Sequence, residues 1–159
     1  MKKNSNKSLA RYLSVQAIYQ KIISKISFEE ILEQFEQKHN RDIFYSFENS
    51  LSKTQQPIDF KYFEQIIKNS KIKEKEINEL IESNLSEKWK IERLPILLNA
   101  ILISAVSEII LSPKLSLGVV ASDYILLTES FFLEKESAFV NAVISNIYNK
   151  NKSWLTKNN

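Results

Sequence analysis

Basic side chains are concentrated at the two ends of this chain, where they could bind an anionic partner. Four of them, with no acidic residue between them, lie within residues 1–11: Lys2, Lys3, Lys7 and Arg11. Residues 150–159 add three lysines, again without an acid. Because the net charge is +3, these seven cations leave residues 12–149 with a net charge of −4. Basic ends on a mildly acidic body are typical of nucleic-acid binding, and equally of solubilising chain ends.

No group of residues in the sequence predicts catalysis or metal binding. His39 is the one histidine and lies in a polar stretch, and the chain has no cysteine. Thiolate and imidazole metal sites therefore lack their ligands. One glycine cannot supply a glycine-rich phosphate loop. The acidic pair Glu29 and Glu30 is better explained by helix capping than by acid–base chemistry. We expect a binding protein without catalytic residues, metal or cofactor.

Composition and apolar spacing predict an all-α fold. One glycine and three prolines in 159 residues are too few turn residues for a β-sheet protein. The spacing indicates about seven helices, over residues 8–24, 27–38, 60–70, 73–85, 96–111, 117–131 and 137–148. Residues 40–57 lack a clean period and are predicted to form a loop with one short helical turn, and residues 134–136 a second loop.

Local signals support several helix starts and faces. Ser27 with Glu30 forms a capping box, Asp59 and Ser116 are predicted N-caps, and Pro95 suits a first turn. Residues 96–111 are apolar on nearly every side, which predicts a helix at the centre of a bundle. Ile101 and Phe139 are expected to be buried where this helix meets the last one. In the first helix, the predicted inner face holds Leu9, Tyr12, Leu13, Tyr19 and Ile23. Its predicted outer face holds Lys7, Arg11, Ser14 and Lys21.

The predicted organisation is one helical domain between two basic ends. Residues 1–8 are expected to form a flexible basic tail, residues 9–149 the domain, and residues 150–159 a second basic tail. The N-terminal sequence has no apolar signal core, and no segment suits a membrane span, which together predict a cytoplasmic protein.

An ordered set of short motifs runs along nearly the whole chain. The motifs are Ala10-Arg11 with Val15-Gln16-Ala17-Ile18-Tyr19, Trp89 with Arg93-Leu94, Ala100-Ile101-Leu102 with Ala105 and Glu108, Pro113 with Val120 and Asp123, and Phe139-Val140-Asn141. In this order and at these spacings they resemble the NusB family of bacterial transcription antitermination factors. The chain departs from the family pattern at the clustered arginines, which are scattered lysines here, and at the glycine after Phe-Val-Asn, which is Ala142.

The resemblance implies a non-catalytic regulator of transcription built from two packed helical bundles. It implies pairing with NusE, a small-subunit ribosomal protein, binding of boxA RNA in ribosomal leader transcripts, and action in an RNA polymerase antitermination complex. With the charge pattern, it makes these residues candidate RNA contacts: Lys2, Lys3, Lys7, Arg11, Gln16, Lys135 and Asn141. The candidate partner contacts are Tyr19, Glu108 and Asp123.

Several alternatives stay open at this stage. Tyr19 could pack in the core, Asn141 could cap a neighbouring loop, and Glu108 or Asp123 could be tied to a helix end. The chain could be a diverged adaptor that has kept the bundles and lost RNA binding, since arginine binds phosphate better than lysine. It could also be an RNA-binding module related to that of RNA cytosine methyltransferases, whose cofactor domain would follow residue 159. The resemblance leaves a homodimer open.

Overall fold

Seven α-helices and one 3₁₀ turn form the part of the chain that the structure describes. In this computed structural model that part comprises residues 5–40, 58–86 and 89–158. The helices are α1 (Ser5–Ser24), α2 (Phe28–Asn40), α3 (Phe60–Ile72), α4 (Glu74–Ser83), α5 (Ile96–Leu111), α6 (Leu117–Phe131) and α7 (Glu134–Asn158), with the 3₁₀ turn Ile91–Arg93 before α5. The all-α prediction is confirmed. No helix in these ranges has the length and apolar character that crossing a membrane requires.

The helix α5 lies at the centre of the fold, as its sequence predicts. It packs against α1, α3, α4, α6 and α7. Its buried side chains cover most of its circumference, and they include Leu98, Ile101, Leu102, Ala105, Val106 and Ile109. On one side, α1, α2 and α3 pack on one another, and on the other α4, α6 and α7 complete a second group. The shared central helix joins the two bundles into one core.

Local capping signals set the starts of three helices. The Asp59 carboxylate accepts the N–H of Tyr62 at 3.0 Å at the start of α3. The Ser116 hydroxyl accepts the N–H of Val119 at 3.3 Å at the start of α6. The Ser27 hydroxyl likewise accepts the N–H of Glu30 at 3.1 Å. These predicted caps are confirmed, because each satisfies a backbone donor that the helix itself leaves free.

The predicted loop over residues 134–136 is wrong, since α7 begins at Glu134. The Glu136 carboxylate accepts the backbone N–H of Leu133 at 3.2 Å. This is the acidic half of a capping box, and two acids in the first turn also suit the positive end of the helix dipole. The charged triplet therefore starts a helix.

The first and last helices extend into the regions predicted to be tails. The helix α1 begins at Ser5, before the predicted start, and α7 continues through residue 158. The first turn of α1 is held by tertiary contacts, among them the Asp59 N–H donating to the carbonyl of Asn6 at 3.2 Å. Residues 1–4 and 41–57 lie outside the described ranges, so all but the first residue of the loop predicted over residues 40–57 falls there.

Truncation of the central helix tests this packing. Ile101 is fully buried on α5, whereas Ile72 at the end of α3 is 76% exposed. We expect Ile101→Ala to lower the free energy of unfolding by about 2–5 kcal/mol, because it removes buried methyl groups and leaves a cavity. Ile72→Ala, the control, should change it by no more than about 0.5 kcal/mol. Urea unfolding followed by circular dichroism measures both, and equal losses would contradict the assignment of α5 to the centre.

Candidate functional site

A buried ionic network joins α1, α5 and α6. The side chains of Arg11 and Glu108 are 2% and 0% exposed. The guanidinium donates from Nε to Glu108 Oε1 at 2.9 Å and from Nη2 to Oε2 at 2.7 Å. Its Nη1 donates to Asp123 Oδ2 at 2.8 Å. The forked geometry suits arginine, whose planar donors match a carboxylate in pairs.

Two tyrosines complete the surroundings of Glu108. The hydroxyl of Tyr62, on α3, donates to Oε2 at 2.5 Å. The hydroxyl of Tyr124, on α6, donates to Oε1 at 2.8 Å and also lies 3.1 Å from the hydroxyl of Ser104. A buried carboxylate is tolerated only when its oxygens are bonded, and these oxygens accept from three residues on three helices.

The network shifts the pKa values of its members. Burial, followed by the negative charge of Glu108, raises the pKa of Tyr62 and that of Tyr124. Burial acts to lower the pKa of Arg11, but the hydrogen bonds and charge of Glu108, with Asp123, outweigh it and raise that pKa. The two hydroxyls thus stay protonated donors, and the guanidinium stays charged.

The predicted faces of α1 are wrong. Arg11 and Ser14, expected on the outside, are buried, whereas Tyr19 and Ile23, expected inside, are 37% and 50% exposed. Hydrogen bonds make the burial of these polar groups tolerable, since the Ser14 hydroxyl donates to the carbonyl of Ala10 at 2.8 Å and Arg11 has its two carboxylates. The buried side of α1 therefore includes these two polar residues beside apolar ones such as Ala10 and Val15.

The burial of Arg11 and Glu108 contradicts their prediction as surface contacts. Arg11 and Glu108 were predicted on the surface, and both lie in the core, where neither can touch RNA or a partner without the network opening. Asp123 keeps 16% of its side chain exposed, so it can be reached from outside. The sequence does hold one signal for this arrangement. Glu108 is the one charged residue of a largely apolar helix, and a buried acid needs a partner such as Arg11.

The outer sides of α1 and α6 each carry exposed apolar side chains, and the two rows meet at Tyr12 and Asp123. On α1, Tyr12, Gln16, Tyr19 and Ile23 follow at helical spacing, and on α6, Val119 and Leu126 are 36% and 56% exposed. The hydroxyl of Tyr12 donates to Asp123 Oδ1 at 3.4 Å, which joins the two rows. We call this the α1–α6 face, and its members are Tyr12, Gln16, Tyr19, Ile23, Val119, Asp123 and Leu126. Its exposed apolar groups, next to one acid, suit a protein partner.

A second surface lies at the start of α7. The rings of Trp89 and Phe139 stack with centroids 4.3 Å apart and planes 14° from parallel. The Lys135 ammonium, one turn before Phe139, lies 5.3 Å from the Trp89 ring centroid. Both rings are partly exposed, so the prediction that Phe139 is buried is wrong. We call these three residues the Trp89 surface. Sequence reasoning missed the pairing of Trp89 with Lys135, which no local spacing reveals.

The remaining candidate RNA residues do not come together in one place. Lys2 and Lys3 lie outside the described residues. Lys7 is half-buried, with its ammonium 4.7 Å from the centroid of the Tyr62 ring. Asn141 is exposed, but its six-residue separation from Lys135 turns it about 240° around α7. It accepts the Ser145 hydroxyl at 3.5 Å on the other flank of the helix.

Lys7 and the Trp89 surface lie at different positions along α6. Ser8, next to Lys7, donates to Asp123 in the middle of that helix, and Lys135 follows its end. The eight residues from Asp123 to Phe131 span about 12 Å of helix. A ligand that contacts both regions has to extend along this half of α6. Within the described ranges, no group of three or more histidine, cysteine or acidic side chains could hold a metal ion.

Comparison with known proteins identifies relatives over nearly the full length. The sequence model of the NusB family matches residues 8–149. The chain is 27% identical to the transcription antitermination protein NusB of Sphingopyxis alaskensis over 146 residues, 92% of this chain and 94% of that protein. It is 26% identical to the NusB protein of Rickettsia bellii over 160 residues, 98% of this chain and 97% of that one.

Solved structures share the fold. The chain is similar to one in the crystal structure of antitermination factors NusB and NusE in complex with double-stranded RNA, with a TM-score of 0.70 and 21% identity. The match covers 92% of this chain and 98% of that one. A chain in the crystal structure of a plectonemic RNA supercoil also matches, with a TM-score of 0.70, 22% identity, and 92% and 96% coverage.

Removal of the buried charge tests the network. We expect Glu108→Gln to lower the free energy of unfolding by about 3–5 kcal/mol, because Arg11 then loses its main partner while remaining buried. The control is Glu64→Gln, which breaks an exposed pair with Lys68 four residues away on α3. It should cost no more than about 1 kcal/mol. Chemical unfolding of both variants provides the measurement, and a similar small loss in each would contradict the network's role.

Alkaline unfolding tests the raised tyrosine pKa values. The folded chain holds the protons of Tyr62 and Tyr124 at pH values where an unfolded tyrosine, with a pKa of about 10, loses them. Their contribution to stability is present below about pH 10 and is lost as the pH rises further. In Tyr62→Phe, we expect the decline of unfolding free energy above pH 10 to be shallower by up to about 1.4 kcal/mol per pH unit. An unchanged slope in urea titrations from pH 8 to 11 would count against this.

Proposed function

The chain belongs to the NusB family, and we propose that it is a non-catalytic transcription antitermination factor that pairs with NusE and binds boxA RNA of ribosomal leader transcripts. The family match over residues 8–149 carries this proposal. The curated relatives named above are antitermination proteins, and one similar structure holds NusB and NusE with RNA. In this proposal the chain acts in the cytoplasm as part of an RNA polymerase antitermination complex.

The Trp89 surface is our proposed RNA contact. Single-stranded RNA is bound by aromatic rings that stack on bases, together with cations that neutralise phosphates. Trp89 and Phe139 form a stacked pair of partly exposed rings, and the Lys135 ammonium lies beside them. Stacking on such a platform is worth about 1–3 kcal/mol per base.

Lys7, with Lys2 and Lys3 ahead of it, is a second proposed RNA-binding region. Lys7 is half-buried on Tyr62, so its ammonium has a defined position at the first turn of α1. An RNA strand would need to run past α6 to reach both regions. Asn141 remains a proposed contact from the other flank of α7.

The α1–α6 face is our proposed docking site for NusE. Tyr19 and Ile23 are exposed there despite their apolar character, in a chain whose other large side chains on α1 are mostly buried. Aromatic and aliphatic groups beside a polar rim are typical of protein interfaces. Gln16 lies between Tyr12 and Tyr19 on the same face, so we assign its contact to the protein partner and not to RNA.

One observation favours the adaptor alternative. Arg11, the single arginine near the N-terminus, is committed to Glu108 and Asp123 in the core. The cations proposed for RNA are therefore all lysines, which bind phosphate as single charges without the forked geometry of arginine. A chain that binds NusE and has no measurable affinity for RNA would support this alternative.

Titration with a single-stranded RNA containing boxA tests the proposed function. We expect binding that weakens as salt rises, because lysines replace counterions on the RNA, and that is tighter in the presence of NusE. Lys135→Gln should flatten the slope of log affinity against log salt by about 0.7, the value for one contact on a single strand. Fluorescence anisotropy at several salt concentrations gives these slopes.

The matched control is Lys68→Gln, which neutralises an exposed lysine on α3 that belongs to neither proposed RNA region. Its slope should equal that of the wild type. If both variants flatten the slope equally, binding is a general effect of charge and the Trp89 surface is not the contact. If the wild-type chain binds neither NusE nor RNA, the proposed function is wrong.

A further inference from the structure

The carboxylate of Asp123 touches both the N-terminal turn and the α1–α6 face. Its Oδ2 accepts the hydroxyl of Ser8 and Nη1 of Arg11, each at 2.8 Å. Its Oδ1 accepts the hydroxyl of Tyr12 at 3.4 Å. Ser8 directly follows Lys7 in the chain, whereas Tyr12 begins the exposed row that includes Tyr19. One side chain of α6 therefore connects the two proposed binding regions on α1.

The inner side of this connection is rigid. Arg11 makes paired bonds to Glu108, which Tyr62 and Tyr124 hold from two other helices. A shift of Arg11 would leave buried charges unpaired, which is strongly unfavourable. When the contacts of Asp123 change, the hydrogen bonds to Ser8 and Tyr12 are therefore the ones that can alter. The bond to Tyr12 is long and weak.

Charge also makes Asp123 sensitive to a partner. Arg11 is paired with two carboxylates, Glu108 and Asp123, so its charge is shared between them. Glu108 is fully buried, and Asp123 is the acid that reaches the surface. A cationic or hydrogen-bonding group of a protein docked on the α1–α6 face would be attracted to this carboxylate and would compete with its α1 donors.

We propose that Asp123 is a positioning residue that couples protein docking on the α1–α6 face to RNA binding at the first turn of α1. A docked partner contacts Tyr12 and Asp123, and the resulting change in the bonds of the carboxylate sets the position of Ser8 and, with it, Lys7. Such coupling is reciprocal, so RNA tightens the protein contact by the same factor. This inference rests on the proposed function, with NusE as the partner.

The coupling factor separates this role from a purely structural one. A residue that only stabilises the fold changes the melting temperature but leaves the ratio of the NusE affinities with and without RNA unaltered. A positioning residue changes that ratio. The ratio comes from two calorimetric titrations of the full chain with NusE, one in the absence and one in the presence of saturating boxA RNA.

In the wild-type chain we expect RNA to tighten NusE binding by about 5–150-fold, the range usual for coupled sites. Asp123→Asn keeps the size of the side chain and removes its charge, and it should bring the factor towards 1. The matched control is Glu129→Gln, which neutralises an exposed acid on the same helix, two turns away. Its coupling factor should equal that of the wild type.

Two further variants keep the test decisive if Asp123→Asn unfolds. Ser8→Ala and Tyr12→Phe each remove one outer donor and leave the pair of Arg11 with Asp123 intact, and each should reduce the coupling factor. Wild-type coupling in these variants, or in a folded Asp123→Asn, would overturn the inference. If the wild-type chain binds both NusE and RNA but has a coupling factor of 1, this inference is wrong and the proposed function still stands. Absence of either binding event would overturn the proposed function and, with it, this inference.

Discussion

A single buried carboxylate, that of Glu108, constrains the arrangement of the whole structure. It lies near the end of a central helix whose other buried residues are mostly apolar, so its charge must be neutralised within the core. The donors come from α1, α3 and α6, as Arg11, Tyr62 and Tyr124. Each of these helices brings its donor to the Glu108 carboxylate only at one position along its axis and at one rotation about that axis. Buried ion pairs of this kind add little net stability, and here the pair serves to specify how four helices fit together.

The exposed face of α1 follows from this constraint. Because Arg11 and Ser14 occupy the inner side, the apolar and aromatic residues on the opposite side, Tyr19 and Ile23, are left in solvent. Exposed side chains of this kind cost free energy unless something covers them. The same network thus sets the rotation of α1 and leaves exposed the surface on which we propose that a protein docks. It is connected to that surface through Asp123, whose three donors all come from α1.

The Trp89 surface depends on a different and more local interaction, the cap at the start of α7. The Glu136 carboxylate starts α7 by accepting the Leu133 N–H, and this start puts Lys135 one helical turn before Phe139. Phe139 then stacks on Trp89, which precedes the central helix by several residues. The surfaces that we propose for RNA and for a protein partner are therefore positioned separately, the first by a helix cap and the second by the buried network.

The sequence by itself determined the features that depend on residues close together in the chain, such as helix starts and the apolar character of a helix. Ser27, Asp59 and Ser116 mark helix starts through bonds to residues three positions on, and the largely apolar character of residues 96–111 places that helix at the centre. Ordered motifs along the chain were enough to identify the family. Tertiary structure alone decided that Arg11 is buried, because its carboxylate partners lie 97 and 112 residues away. A prediction from apolar spacing places every arginine on the solvent side of a helix. Arg11 can face inwards only because the packing of distant helices brings opposite charges to it.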